Sequence, residues 1–114
     1  MRSWWEGFTD DVLVPAVVLP EITYLLSRRI HASAELDFVE AVAAGEFTIE
    51  PLLNDDIARS AELMAAYADT PLGFVDAAIA ATAERLSVTR VLTTDRRHFT
   101  LIRPRHVPAF RLLP

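Results

Sequence analysis

Three carboxylates occupy distinct apolar frames, far apart in the chain, and each follows a predicted strand end or lies near a predicted helix start. They are Glu21, Asp76 and Asp95. The carboxyl ends of parallel strands meet at one edge of an open α/β sheet, so acids placed this way can converge there. Clustered carboxylates repel one another, and a hard divalent cation relieves that repulsion. The pattern therefore predicts a metal-dependent α/β enzyme.

Each of these acids also has an ordinary structural explanation. A carboxylate in the first turn of a helix is stabilised by the helix dipole, which would account for Glu21 and Asp76. Asp95 could cap a short helical turn over 96–99. Asp76 is the strongest candidate because it borders a predicted apolar stripe, where a carboxylate needs partners or a cation. Asp69 flanks the same helix, and we interpret it as structural while leaving an indirect role at the site open.

The composition bounds the class of protein. A length of 114 residues, with 52% of them hydrophobic, predicts one domain over 1–114 with a real core. The absence of Cys excludes disulfides and thiolate metal sites. No apolar run is long enough to cross a membrane, and no signal peptide opens the sequence, so we expect a cytoplasmic protein that binds no membrane. The three histidines, His31, His98 and His106, lack the spacing of metal ligands and are expected on the surface or in loops.

Charge is distributed unevenly along the chain. The formal net charge is −5, but residues 1–57 carry 11 acids and 3 Arg, whereas residues 58–114 carry 5 acids and 8 Arg. Five of these Arg follow Asp95, namely Arg96, Arg97, Arg103, Arg105 and Arg111. The overall acidity argues against simple non-specific nucleic-acid binding. The local basic segment is either a face for an anionic partner or a solvated tail, and the sequence leaves both open.

Periodicity and capping signals predict the order strand, helix, helix, strand, helix, helix, strand, strand. The strands are expected at 12–14, 47–50, 90–93 and 110–113, and the helices at 15–27, 33–44, 54–67 and 71–86. Ser33 and Asn54 are expected to cap their helices, and Pro71 to stand at the first helical position. The last helix should bury one stripe, made of Leu72, Val75, Ile79, Ala83 and Leu86. Alternating strands and helices predict an α/β fold with a parallel sheet covered on both faces.

Four short motifs, taken together, carry a family resemblance. They are Val-Pro-Ala-Val-Val-Leu-Pro-Glu-Ile (14–22), Gly-Phe-Val-Asp-Ala (73–77), Thr-Thr-Asp-Arg-Arg-His-Phe (93–99) and Phe-Arg-Leu-Leu-Pro (110–114). In this order they resemble the PIN-domain ribonucleases, and closely the VapC-type toxins of bacterial toxin–antitoxin pairs. The resemblance covers essentially the whole chain. Each motif is weak alone, but the set is specific.

The resemblance implies a fold, a site and partners. The fold is a three-layer α/β/α sandwich with a short parallel sheet, and Glu21, Asp76 and Asp95 match three of the family's acids. These acids would bind Mg²⁺ or Mn²⁺ and hydrolyse RNA, leaving 5′-phosphate and 3′-hydroxyl ends. The RNA backbone would be positioned by Arg96, Arg97, Arg103 and Arg105. A VapB-like antitoxin and a second copy of the chain are the implied protein partners.

The sequence departs from the family's pattern at its start. The family opens with a central strand that ends in an Asp-containing motif, and this sequence shows neither, so we expect a PIN-like domain without its first strand. Two functions follow as alternatives: a metal-dependent endoribonuclease toxin of a type II toxin–antitoxin system, or a catalytically impaired PIN remnant that binds an antitoxin or dimerises. A sheet without its central strand should also leave the isolated chain prone to association.

Overall fold

The chain folds into two compact units, Met1–Pro51 and Leu52–Pro114. The computed structural model describes residues 13–70, 72–88, 90–92, 105 and 111–113. Over those residues the order of strands and helices is the predicted one. None of the helices in the described part combines the length and the apolar character needed to cross a bilayer. A single domain over 1–114 stays a prediction, as does the absence of a first strand.

The first unit contains two strands and two helices. They are β1 (Leu13–Pro15), α1 (Leu19–Arg29), α2 (Ala32–Ala43) and β2 (Thr48–Glu50). The strands pair in parallel with Val14 opposite Ile49, as the alternation of strands and helices predicted. A parallel pair needs a long crossover connection, and here α1 and α2 supply it.

Helix α1 begins later than predicted. Pro15 ends β1 instead of opening the helix, and a 3-10 turn over 16–18 separates the two. The reason is local: Pro15 is extended, with φ −61° and ψ 134°, and the chain turns only after it. Pro20 then lies in the first turn of α1, where the missing N–H leaves no helical hydrogen bond unmade. Arg28 and Arg29 lie in the last turn, where cations interact favourably with the helix dipole.

Helix α2 is capped by His31 and not by the predicted Ser33. The Nδ1 atom of His31 accepts a hydrogen bond from the backbone N–H of Ala34 at 3.1 Å, and the Ser33 hydroxyl lies 2.5 Å from the same nitrogen. Ser33 therefore supports the cap from inside the helix. At the other end Gly45 has φ +85°, a left-handed conformation that glycine adopts readily, so the predicted stop at Gly45 is confirmed.

The core of the first unit is aliphatic and aromatic. It consists of Val14, Leu26, Ala34, Phe38, Ala41 and Phe47. Phe38 of α2 is 1% exposed, and its ring centroid lies 5.2 Å from that of Phe47, which precedes β2. Tilted ring pairs at this distance add to the energy of apolar burial. The two phenylalanines thus join the second helix to the strand that follows it.

The second unit also contains two helices and two parallel strands, but both strands follow the helices. It contains α3 (Asn54–Ala66), α4 (Phe74–Leu86), β3 (Arg90–Leu92) and β4 (Arg111–Leu113). The two strands pair in parallel, with Val91 opposite Leu112. The last strand was predicted as an edge strand, and its pairing with β3 defines its neighbour.

Both helices of the second unit start differently from the prediction. Asn54 is the first residue of α3 and not its cap, and Leu53 occupies the cap position. The carboxylate of Asp56 accepts the backbone N–H of Leu53 at 3.0 Å, so Asp56 satisfies a donor at the helix start. Helix α4 begins at Phe74, after Gly73, and therefore three residues beyond the predicted start at Pro71. Its end at Leu86 is confirmed, with Ser87 in the left-handed conformation.

The buried face of α4 is made of small residues. Ala77, Ala78 and Ala80 are completely buried, and Ala81 and Ala83 nearly so. The predicted stripe is therefore only partly correct: Leu72 and Ala83 are in the core and Ile79 packs against it, whereas Val75 and Leu86 are half-buried. Methyl side chains let a neighbouring backbone approach closely, and Leu63 of α3 fills the remaining space. Periodicity of large apolar residues does not detect such a face.

Candidate functional site

Glu21 lies where the sequence predicted, at a helix start that follows a strand. It is in the first turn of α1, and its side chain is exposed. The 3-10 turn over 16–18 carries the chain from the carboxyl end of β1 to this helix. The placement agrees with an acid delivered to the strand-exit edge of a parallel pair.

Asp76 lies in the first turn of α4, beside that helix's buried face. Its side chain is half-buried, and the next residue, Ala77, is completely buried. The prediction that Asp76 borders the apolar face is confirmed in this respect, although the face consists mainly of alanines. Asp69 is exposed in the turn that follows α3. The two acids of this segment therefore differ in environment, and only Asp76 is on the helix.

The third acid and most of the basic segment lie outside the described residues. This applies to Asp95, Arg96, Arg97 and Arg103. Glu21 belongs to the first unit and Asp76 to the second, so the geometry places each acid within its own unit. Over residues 13–70, 72–88, 90–92, 105 and 111–113 there is no group of three or more His, Asp or Glu side chains able to hold a metal. The convergence of the three acids stays a prediction.

Arg105, predicted to contact RNA, has acidic partners in the structure. Its Nη2 atom lies 2.9 Å from Oε1 of Glu62, and its backbone N–H donates to Oε2 of Glu84 at 2.9 Å. The Arg105 side chain nevertheless remains 65% exposed. An exposed ion pair of this kind contributes little to stability. Its more definite consequence is that residue 105 is attached to both helices of the second unit.

Glu84 is the centre of an ion-pair cluster that joins α3 to α4. The guanidinium of Arg59 binds it with two hydrogen bonds, of 2.7 Å from Nε and 3.0 Å from Nη2. The Glu84 side chain is only 7% exposed. Burial by itself raises the pKa of Glu84, but the hydrogen bonds from Arg59 and from the backbone of Arg105 outweigh it, so this pKa lies below its ordinary value.

A second ion pair lies beside the first. Arg85 binds Asp56 through Nε at 2.9 Å and Nη2 at 3.1 Å, and the Asp56 side chain is 2% exposed. Burial raises the pKa of Asp56, and the hydrogen bonds from Arg85 and from the backbone of Leu53 lower it further than burial raises it. The net pKa lies below the ordinary value. The start of α3 is thereby fixed beside the end of α4.

The pairing of these four charged residues is not evident from the sequence alone. A signal was present in α3, because Asp56, Ser60 and Leu63 are spaced as one helix face and all three are buried. An acid on such a face requires a cationic partner. The partner could not be named from local pattern, because Arg85 is 29 residues further along the chain.

Comparison with known proteins agrees with the motifs. The family model of the PIN domain matches residues 1–103. Ribonuclease VapC26 of Mycobacterium tuberculosis is 31% identical over 109 residues, which cover 96% of this chain and 81% of that protein. Two solved structures share the fold. One is Mycobacterium tuberculosis VapC20, described as a sarcin-ricin loop cleaving toxin. Its TM-score is 0.68 at 20% identity, and the match covers 82% of this chain and 72% of that chain.

A further solved structure that matches is DNA-bound VapBC from Salmonella typhimurium. Its TM-score is 0.63 at 21% identity, and the match covers 89% of this chain and 73% of that chain. At such identities the two structures establish likeness of fold. The α/β arrangement of helices and parallel strands described above is the one these proteins share.

Proposed function

Because the chain belongs to the PIN domain family, and to its VapC-type ribonucleases, the toxin components of toxin–antitoxin pairs, we propose that it hydrolyses RNA phosphodiesters with the help of Mg²⁺ or Mn²⁺. The family, the α/β fold class and the ribonuclease function predicted from the motifs are confirmed. The metal, the residues that hold it and the partners are the proposed part.

The observation that supports the proposal most is the placement of two motif acids. Glu21 and Asp76 each lie in the first turn of a helix, with Glu21 exposed and Asp76 half-buried. Carboxylate oxygens are the donors that hard divalent cations take. We propose Glu21, Asp76 and Asp95 as the residues that would hold the cation. Such a cation, when bound, neutralises charge on the phosphodiester and makes a water molecule more acidic.

The chain's basic residues supply the second part of the proposal. Arg96, Arg97 and Arg103 would position the RNA backbone beside the acids, since arginine binds phosphate with a planar fork of donors. Arg105 is a weaker candidate, because its guanidinium already binds Glu62. RNA would have to displace that carboxylate before Arg105 could contribute.

The partners are proposed from the relatives. The Salmonella typhimurium structure is a VapBC complex bound to DNA, so the fold accommodates a VapB partner in that protein. We extend this to the present chain: a VapB-like antitoxin would be its partner, acting in the cytoplasm, and the chain would form a homodimer. Size-exclusion chromatography of the co-expressed pair tests the partner directly.

The proposed function is tested by RNA cleavage with and without metal. The chain is incubated with a labelled RNA in Mg²⁺, in Mn²⁺ and in EDTA, and the ends of the products are identified. We expect cleavage in either metal, none in EDTA, and 5′-phosphate ends. Equal cleavage in EDTA would contradict the metal dependence. Absence of cleavage in all three conditions, from a folded chain, would favour the impaired remnant that binds an antitoxin.

A further inference from the structure

One exposed stripe of helix α1 combines an acid, an aromatic ring and a cation. Glu21, Tyr24 and Arg28 are spaced by three and four residues, so they lie along one side of the helix. All three are exposed, and Tyr24 is 60% exposed. At 1.5 Å per residue the stripe runs about 10 Å from Glu21 to Arg28.

The ring and the cation of this stripe are in contact. The Cζ atom of Arg28 lies 5.9 Å from the centroid of the Tyr24 ring. This is a cation–π contact, with the guanidinium over the ring. Most of the Tyr24 surface remains open to solvent, although burial of aromatic surface is favourable. Proteins that bind single-stranded nucleic acids stack bases on exposed aromatic rings and bind the neighbouring phosphates with cations.

The two arginines of α1 differ from the other arginines whose side chains the structure describes. Five arginine side chains are described, and three of them, Arg59, Arg85 and Arg105, bind carboxylates. The other two, Arg28 and Arg29, have no carboxylate partner within the described residues and are exposed. They lie in an acidic half of the chain, where residues 1–57 carry 11 acids and 3 Arg. The helix dipole accounts for cations in a last turn, but it does not account for the exposed ring beside them.

We propose that the stripe of Glu21, Tyr24 and Arg28, together with Arg29, is a binding track for single-stranded RNA that runs along α1 away from Glu21. A base stacks on Tyr24, and the adjacent phosphates bind Arg28 and Arg29. The inference rests on the proposed function, because it takes RNA as the ligand. It deepens that function by naming residues that position the substrate on the side of α1.

The test measures binding and cleavage separately. The full chain is titrated into a short, fluorescent single-stranded RNA of mixed sequence in EDTA, so that binding is followed without turnover. Tyr24→Ala should weaken binding about tenfold, while Tyr24→Phe should bind as the parent does, because the ring is retained. Arg28→Gln should reduce the slope of log affinity against log salt by about 0.7, the value for one phosphate contact on a single strand.

Asn54→Asp is the matched control for charge. It also lowers the net charge by one, on an exposed first helical residue of α3 where an acid is favourable, and it should leave the affinity unchanged. Thermal unfolding of each variant checks that the fold is kept, as expected for the exposed Tyr24. Unchanged affinity for Tyr24→Ala and an unchanged salt slope for Arg28→Gln would overturn the track.

The cleavage measurement in Mg²⁺ separates the two proposals. A parent that cleaves RNA, with Tyr24→Ala and Arg28→Gln raising its KM, supports both. A parent that cleaves while neither variant changes binding or KM overturns the track and leaves the proposed function standing. A parent that binds RNA through Tyr24 and Arg28 but does not cleave supports the track and contradicts the hydrolysis. If the two variants bind RNA as the parent does but no longer co-elute with a co-expressed antitoxin on size-exclusion chromatography, the stripe belongs to a protein partner and the track is overturned.

Discussion

Each of the two units is stabilised internally by a different kind of contact. The first unit packs phenylalanine, leucine and valine between two helices and a parallel strand pair, with Phe38 against Phe47 at its centre. The second unit packs α3 against an alanine face of α4, and the described ion pairs lie in this unit. One unit relies mainly on the burial of large apolar groups, and the other adds charges that hold a close helix pair in register.

This difference bears on how each unit presents its acid. Glu21 follows a strand and a 3-10 turn, so its position depends on the apolar packing beneath α1. Asp76 is at the start of α4, and the far end of that helix is fixed by Glu84 and Arg85. We therefore expect the position of Asp76, unlike that of Glu21, to change with pH and with substitutions that break these ion pairs.

The largest effect on stability is expected in the first unit. Phe38→Ala removes a side chain that is 1% exposed and should lower the free energy of unfolding by about 4 kcal/mol. Urea unfolding near neutral pH measures it. Val39→Ala is the control, since Val39 is the next residue of α2 and is 47% exposed. A similar small loss for both variants would mean that Phe38 is not a core residue.

The next effect is expected at the buried ion pair of the second unit. Arg85→Met leaves the Asp56 carboxylate buried without its cation and should lower the free energy of unfolding by about 3 kcal/mol. This figure allows for solvent screening, because the Arg85 side chain is partly exposed. Replacing both residues, as Asp56→Asn with Arg85→Met, should recover part of the loss, since no charge is then left buried. If the double variant is the less stable of the two, the penalty does not come from an unpaired charge.

The two units should also differ in their response to acid. Folding lowers the pKa of Asp56 and the pKa of Glu84 below their ordinary values of 3.8 and 4.5. The two carboxylates therefore stabilise the fold fully at pH values above those ordinary values. This stabilisation is lost as the pH falls through the lower pKa values of the folded state. The free energy of unfolding should therefore decline on acidification below about pH 4.5. The variant Asp56→Asn with Glu84→Gln should flatten this decline. Asp37→Asn, at an exposed position of α2, should leave it steep.

The smallest effect is expected at the cap of α2. His31→Ala removes the acceptor for the Ala34 N–H and should cost about 1 kcal/mol. His31→Asn supplies another side-chain acceptor at the cap position and should retain most of the stability. Chemical unfolding of the two variants in parallel makes the comparison. Equal losses would show that the hydrogen bond to Ala34 does not stabilise the helix.

The sequence predicted the parts of the fold that depend on local pattern. The order of elements, the parallel pairing and the helix-start positions of Glu21 and Asp76 all follow from strand, turn and helix signals. The predicted start of α4 is wrong because Thr70 and Pro71 have the residue types of a helix start, whereas the helix begins after Gly73. The alanine face of α4 was missed because periodicity weights large apolar residues.

Contacts between distant residues could not be predicted in the same way. Asp56 and Arg85 are 29 residues apart, and Arg59 and Glu84 are 25 apart, so no short window contains either pair. His31 is exposed, as predicted, but its capping role is not evident from the sequence because capping preferences favour Ser33, whereas in the structure the imidazole is the acceptor. The grouping of Asp95 with Glu21 and Asp76 stays a prediction.

The measurement that tests the central claim most directly compares two acids of one segment. Asp76→Asn and Asp69→Asn each remove one negative charge with little change of shape, and their cleavage of the same RNA in Mg²⁺ is compared with that of the parent chain. We predict that Asp76→Asn lowers the rate by about a hundredfold or more, the size of effect seen when a pre-organised electrostatic group is lost. Asp69→Asn should lower it far less. Cleavage that depends on Asp69 and not on Asp76 would contradict the assignment of Asp76 to the site.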